Sequence, residues 1–117
     1  MLTALTRRFR KPPPEPRWVD VAGLREQMAS APHLIVDVRG PDEFDGPLGH
    51  IEGARNIPLA ELSSHQAEIA SAGRPIVFVC LTDKRSATAA MQLATVGIRE
   101  VSVLRGGMTA WRQAAAP

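Results

Sequence analysis

The chain has 117 residues, one cysteine and a formal net charge of +2 at pH 7. This length fits a single domain with a modest core, and so small a charge excess does not indicate nucleic-acid binding. One cysteine excludes an intrachain disulfide and any zinc site with two or more cysteine ligands, and His33, His50 and His65 lack ligand spacing, so no metal site is expected.

The first segment along the chain is basic and is followed by a cluster of prolines. Its charged residues are Arg7, Arg8, Arg10 and Lys11, and its prolines are Pro12, Pro13, Pro14 and Pro16. Prolines this dense predict a stiff, extended spacer. We therefore expect a tail at 1–16 and a domain at 17–117, and the sequence leaves open whether the tail docks. Its few apolar residues precede the basic cluster, the reverse of a secretory signal, so a cytoplasmic location is expected.

The remainder of the chain alternates strand-like and helix-like segments. Apolar, β-branched runs predict buried strands at 34–38, 76–80 and 101–104, with weaker strand candidates at 18–19 and 54–57. Apolar residues at helical spacing predict helices over 21–28, 59–70 (broken at Ser63-Ser64), 87–94 (ended by Gly97) and 108–113. This alternation predicts an α/β fold in which a parallel sheet is covered by helices on both faces.

Polar and glycine residues follow the three strongest strand predictions. These residues are Asp37, Arg39, Cys80, Arg105, Gly106 and Gly107. In open parallel α/β sheets, ligands bind beyond the carboxyl ends of the strands. We therefore expect these residues to converge on one edge of the sheet and to form the functional site there.

Cys80 stands where a predicted strand gives way to an alanine-rich helix. Unpaired backbone N–H groups and the positive end of the helix dipole favour an anion at that place, and a thiolate is an anion. Lys84 and Arg85 add positive charge nearby, and Asp83 removes some of it. The pattern therefore predicts a reactive thiol rather than a small buried apolar side chain, and the same groups would stabilise a persulfide or a bound oxyanion.

Four stretches of the chain together resemble the rhodaneses, a family of sulfurtransferases. They are Asp37-Val38-Arg39 with Glu43-Phe44, the GHI-x-GA-x-N-I-P pattern at 49–58, the loop from Cys80 to Ser86, and the L-x-GG-x-x-x-W pattern at 104–111. Each stretch alone is weak evidence for the family, but the four in this order cover nearly the whole chain from Trp18 and are specific for it. The chain is thus similar to a single-domain rhodanese, which implies a five-stranded parallel sheet flanked by helices.

The resemblance implies an enzyme that transfers sulfur through Cys80. The thiol would take sulfane sulfur from thiosulfate or a low-molecular-weight persulfide, hold it as a persulfide, and pass it to cyanide or a thiol. The loop residues expected to bind the substrate are Leu81, Thr82, Asp83, Lys84, Arg85 and Ser86. No metal or organic cofactor is implied. The alternative is a relay that passes persulfide sulfur to a partner protein, with little turnover of small molecules.

The length and composition of the loop bear on the substrate. Four residues separate Cys80 from Arg85, one fewer than in the related phosphatases and arsenate reductases, and this favours sulfur over phosphate. Leu81 stands where thiosulfate-preferring relatives often have a basic residue, and Asp83 stands where a glycine is common. Both departures weaken the case for a doubly anionic donor, so the physiological donor and acceptor stay open.

The neighbours of the cysteine have expected roles of their own. Arg85 could hold an anionic donor or pin the loop to an acidic residue, and the sequence does not decide between them. Ser86 is expected to be the N-cap of the following helix. The residues expected to support the site structurally, through an ion pair, a hydrogen-bond network or a tight turn, are Asp37, Arg39, Glu43, Gly106 and Gly107. Within this group, an Arg39–Glu43 pair is one possibility.

Overall fold

A computed structural model describes residues 16–115, and the predicted basic tail and most of the proline spacer lie outside the described residues. Five strands form one parallel sheet: β1 (Arg17–Val19), β2 (Leu34–Asp37), β3 (Arg55–Asn56), β4 (Ile76–Val79) and β5 (Val101–Leu104). Their spatial order is β1-β5-β4-β2-β3. The predicted parallel α/β sheet is thus confirmed, including both of the weaker strand candidates.

The helices alternate with these strands: α1 (Val21–Ser30), α2 (Pro41–Phe44), a 3-10 helix (Leu59–His65), α3 (Gln66–Ala70), α4 (Lys84–Ala94) and α5 (Gly107–Ala115). The helix predicted over 59–70 with a break at Ser63-Ser64 is a 3-10 helix up to His65 and an α-helix from Gln66 onward. Gly97 ends α4 as predicted, with φ +88° and with the Ile98 N–H donating to Leu93 O. The four-residue helix α2 was not predicted.

Apolar side chains form a separate core cluster on each face of the sheet. Val36, Phe78 and Val103 point to one face and pack against Leu62 and Leu93, which belong to the 3-10 helix and α4. The opposite cluster joins the alternate strand residues to α1 and α5, through Ile35, Val77, Leu104, Leu24 and Met108. Because strand side chains alternate between faces, helices cover both sides of this sheet, as predicted.

The register of the strands brings the predicted polar ends together. Asp37 pairs with Val79 across β2 and β4, and the Val38 N–H donates to Val79 O at 2.9 Å. The N–H of Met108, the second residue of α5, donates to Cys80 O at 2.9 Å. The segments that follow β2, β4 and β5 therefore meet at one edge, around Cys80. Within residues 16–115, no helix has the length and apolar character needed to cross a membrane.

Candidate active site

Cys80 lies between the last residue of β4 and a short loop that leads into α4. Its side chain is buried, with 1% of its surface exposed. The Sγ atom accepts a hydrogen bond from the Ser86 N–H at 3.4 Å. Ser86 is in the first turn of α4, where backbone N–H groups have no partner within the helix. The sulfur therefore lies at a helix N-terminus, as the strand-to-helix pattern predicted.

The orientation of the loop is set by α5. The Met108 N–H donates to Cys80 O at 2.9 Å, and the Thr109 N–H donates to Leu81 O at 3.1 Å. A planar trans peptide holds its C=O and N–H on opposite sides, so the amides of Leu81 and Thr82 face away from α5. The first N–H groups of α5 thus gain partners, and the two loop peptides gain a fixed orientation.

Gly107 allows this approach of α5 to the loop. Its φ is +53°, and a Cβ at this position would lie 2.3 Å from both Cys80 O and Thr82 O. Leu81 O would be 2.7 Å away. No side chain fits there without displacing the loop, so the backbones of α5 and the loop approach closely at Gly107.

Asp37 and Arg39 form a buried ion pair beside the loop. The Arg39 Nη2 donates to Asp37 Oδ2 at 2.7 Å, and its Nε donates to Asp37 Oδ1 at 2.9 Å. The remaining donors of the guanidinium reach the carbonyls of Glu43 at 3.1 Å and Gly49 at 2.7 Å. This network holds α2 and the 49–58 segment against the end of β2.

The 49–58 segment adds a support that the sequence reasoning did not assign. Asn56 Nδ2 donates to Asp37 O at 3.0 Å and to Arg39 O at 2.8 Å. Asn56 thereby fixes the backbone that carries the buried ion pair. Its place within a matching family pattern was the only signal in the sequence, and no local rule could have given its partners.

Glu43 pairs with Arg85 through two parallel hydrogen bonds. Arg85 Nη1 lies 2.7 Å from Glu43 Oε1, and Nη2 lies 2.9 Å from Oε2. Hydrogen bonding from Arg85 lowers the pKa of Glu43 from its ordinary 4.5 to about 2, and the same bond raises the pKa of Arg85. The suggested Arg39–Glu43 contact is present as a hydrogen bond from Arg39 to the backbone oxygen of Glu43, whereas the ionic partner of the Glu43 carboxylate is Arg85.

Ser86 is not the N-cap of α4, and that prediction is wrong. The helix begins at Lys84 with Asp83 as its N-cap, so Ser86 lies inside the first turn. Asp83 makes no side-chain capping bond. Ser86 is fully buried, and among the described residues its Oγ is the one buried side-chain N or O atom without a hydrogen-bond partner. The backbone of Ser86, rather than its hydroxyl, contacts the sulfur.

The other loop residues predicted to bind substrate surround the thiol differently. Leu81, Thr82 and Lys84 are exposed, and Asp83 is half-buried. Leu81 exposes 40% of its surface at the rim of the loop. Of the six loop residues, Ser86 is the one whose N–H donates to Cys80 Sγ, and the roles of all six in binding stay predictions.

Comparison with known proteins identifies relatives over nearly all of the described chain. A family model described as "Rhodanese-like domain" matches residues 20–114. An uncharacterized protein of Bacillus subtilis, YqhL, is 43% identical over 77 residues, which are 66% of this chain and 59% of that protein. Thiosulfate sulfurtransferase GlpE of Shewanella oneidensis is 38% identical over 89 residues, covering 75% of this chain and 85% of GlpE.

The fold is shared with solved structures. The crystal structure of a rhodanese-related protein from Thermoplasma volcanium superposes with a TM-score of 0.71 at 28% identity. The match covers 86% of this chain and 95% of that one. The five-stranded parallel sheet and its flanking helices are therefore those of rhodanese-like structures.

Proposed function

Because the chain belongs to the rhodanese-like domain family, we propose that it is a sulfurtransferase that carries sulfane sulfur as a persulfide on Cys80. The donor is thiosulfate or a low-molecular-weight persulfide, and the acceptor is cyanide or a thiol. The relatives named thiosulfate sulfurtransferase support this reaction class. The chain spans only about three-fifths of YqhL, so the activity of the whole protein belongs to this proposal as well.

The observation that carries the proposal is the hydrogen bond from the Ser86 N–H to Cys80 Sγ. A sulfur that accepts an amide hydrogen bond at a helix N-terminus is placed where negative charge is stabilised. Burial of Cys80 excludes most water from that charge, which strengthens the interaction. The Ser86 N–H is therefore expected to stabilise both the Cys80 thiolate and the persulfide anion formed from it.

The reaction proceeds in two half-reactions. The Cys80 thiolate attacks the outer sulfur of the donor, a Cys–S–S bond forms, and sulfite leaves from thiosulfate or a thiolate leaves from a persulfide. Cyanide then attacks the outer sulfur, thiocyanate forms, and the thiolate of Cys80 is regenerated. The intermediate is covalent and the two substrates react in turn, so ping-pong kinetics are expected. The nucleophile in this step is the thiolate form of Cys80, so the attack itself transfers no proton.

One feature of the loop bears on the identity of the acceptor. Leu81 exposes 40% of its surface at the rim of the loop, where a protein acceptor that approached Cys80 would contact it. A relay that passes sulfur to a protein thiol is therefore the second candidate function. A cytoplasmic location is part of the proposal, since a free thiol persists in a reducing compartment.

Mass spectrometry of the intact protein after incubation with thiosulfate tests the proposal. An added mass of ~32 Da on Cys80, one sulfur atom, should form and should be lost on addition of cyanide. Cys80→Ser is the control and should gain no mass. If no sulfane donor loads Cys80, the proposed function is wrong. Loading with negligible thiocyanate production would support the relay instead, and hydrolysis of an aryl phosphate would indicate a phosphatase.

A further inference from the structure

The Glu43–Arg85 pair occupies the side chain best suited to hold an anionic donor. Arg85 is the fifth residue after Cys80, and a guanidinium binds oxyanions through two parallel N–H groups. Here both terminal nitrogens already contact the Glu43 carboxylate, at 2.7 and 2.9 Å. An incoming sulfonate group would have to displace this carboxylate or bind beside its negative charge.

Glu43 is also held in place from the other side. Its Oε1 accepts a hydrogen bond from the Gly40 N–H at 3.2 Å, and its backbone oxygen accepts from Arg39 Nη1 at 3.1 Å. Arg39 is fully buried and paired with Asp37. The carboxylate therefore projects from a fixed backbone, so moving it aside for a donor sacrifices several contacts. With its pKa lowered from 4.5 to about 2 by Arg85, Glu43 is charged at neutral pH and stays charged down to more acidic pH than a free glutamate.

A small cavity lies against the same carboxylate. Its volume is about 110 Å³, and its lining residues are Arg39, Glu43, Pro47, Leu48 and Leu81. The cavity is shallow and open to solvent, so its base accommodates a short organic group and a larger group would extend into solvent. Three of the five lining residues are apolar, and Leu81 directly follows Cys80. The cavity therefore suits a short aliphatic group better than a dianion.

We propose that Glu43 determines donor specificity, by occupying Arg85 and disfavouring dianionic donors relative to persulfides of small uncharged thiols. This inference rests on the proposed function. In the favoured reaction the Cys80 thiolate attacks the outer sulfur of R–S–SH, Cys–S–SH forms, and the thiolate R–S⁻ leaves. The short R group lies in the cavity beside Leu81.

The test compares how fast two donors load Cys80. The donors are thiosulfate, a dianion, and 2-hydroxyethyl persulfide, whose organic part is uncharged. The second-order rate of the ~32 Da mass gain is measured by quenched-flow mass spectrometry, without acceptor. Glu43→Gln keeps the shape of the side chain and its acceptor for the Gly40 N–H. Asp42→Asn is the matched control, because it removes the same charge from the exposed neighbouring position.

Glu43→Gln should raise the thiosulfate loading rate about tenfold, since one nearby negative charge is removed. The persulfide rate should change less than about twofold, and so should both rates in Asp42→Asn. An equal change for both donors would show that Glu43 only holds the loop, and the inference would be wrong. No change with thiosulfate would overturn it as well. If the unmodified protein is loaded by neither donor, the proposed function itself fails, which is a separate outcome.

Discussion

Replacing Gly107 by alanine tests whether the close approach of α5 positions the loop that carries Cys80. A Cβ at Gly107 would lie 2.3 Å from two loop carbonyl oxygens, whereas real Cβ atoms essentially never come within 3.0 Å of such atoms. The loop and the helix must therefore separate by about 0.7 Å or more. Gly73→Ala is the matched control, because Gly73 has φ +67° with nothing within 4 Å of its Cβ position.

Gly107→Ala is expected to lower the free energy of unfolding for two reasons, one of which also applies to the Gly73→Ala control. Placing alanine in the left-handed region costs roughly 1–2 kcal/mol in either variant. Overpacking against the loop adds a further cost of about 1–3 kcal/mol in Gly107→Ala alone. We expect the free energy of unfolding to fall by roughly 2–5 kcal/mol, against about 1–2 kcal/mol for Gly73→Ala.

The activity should separate the two variants more clearly than the stability. A displacement near 1 Å of a reacting group can reduce a rate about 10²-fold, so loading of Cys80 by a sulfane donor should slow by that order in Gly107→Ala. Gly73→Ala should load at the unmodified rate. Urea unfolding gives the stabilities, and timed mass spectrometry gives the loading rates. Equal stability and equal rates in the two variants would refute the role of this contact.

Three further predictions concern the same region. Ser86→Ala should leave the free energy of unfolding unchanged or raise it by about 1 kcal/mol in urea titrations, because it removes a buried hydroxyl without a partner; a loss of stability would contradict this. Arg39→Met should lower the free energy of unfolding by about 3–5 kcal/mol in the same titrations, since it leaves the Asp37 carboxylate buried without its cation. An unchanged free energy of unfolding would show that the Asp37–Arg39 pair is not needed for stability. Folding lowers the Glu43 pKa from 4.5 to about 2, so the pair with Arg85 stabilises the fold above pH 4.5 and loses this effect as the pH falls toward 2. Glu43→Gln should therefore lower stability by less than about 1 kcal/mol at neutral pH and by nothing near pH 2, a trend that unfolding at several pH values would reveal or exclude.

The sequence predicted the central strands well because their physical signal is local. A strand such as Ile76–Val79 is buried on both faces, so it is a continuous run of apolar, mostly β-branched residues. Strand β3 has only Arg55 and Asn56 and was predicted only as a weaker candidate at 54–57, and helix α2 has only four residues and was not predicted. Elements this short contain too few residues for any periodicity, so tertiary contacts rather than local propensity define them.

In the active site too, the features that local sequence determines were predictable, and the features that depend on tertiary contacts were not. Cys80 and its loop were predictable because a strand and a helix N-terminus flank them in sequence. The pairing of Arg85 with Glu43 joins residues 42 positions apart, and only the folded sheet edge brings them together. Ser86 was misplaced because serine is a common N-cap, yet α4 begins two residues earlier, at Lys84.

The strand order has a consequence for how this protein behaves at high concentration. The two outermost strands, β1 and β3, have three and two residues, whereas the strands between them have four. An outer strand offers unpaired backbone groups to a neighbouring molecule, and a short one offers few of them. The brevity of β1 and β3 thus protects the apolar sheet against edge-to-edge aggregation. Lengthening β3 with β-branched residues would remove that protection without touching Cys80.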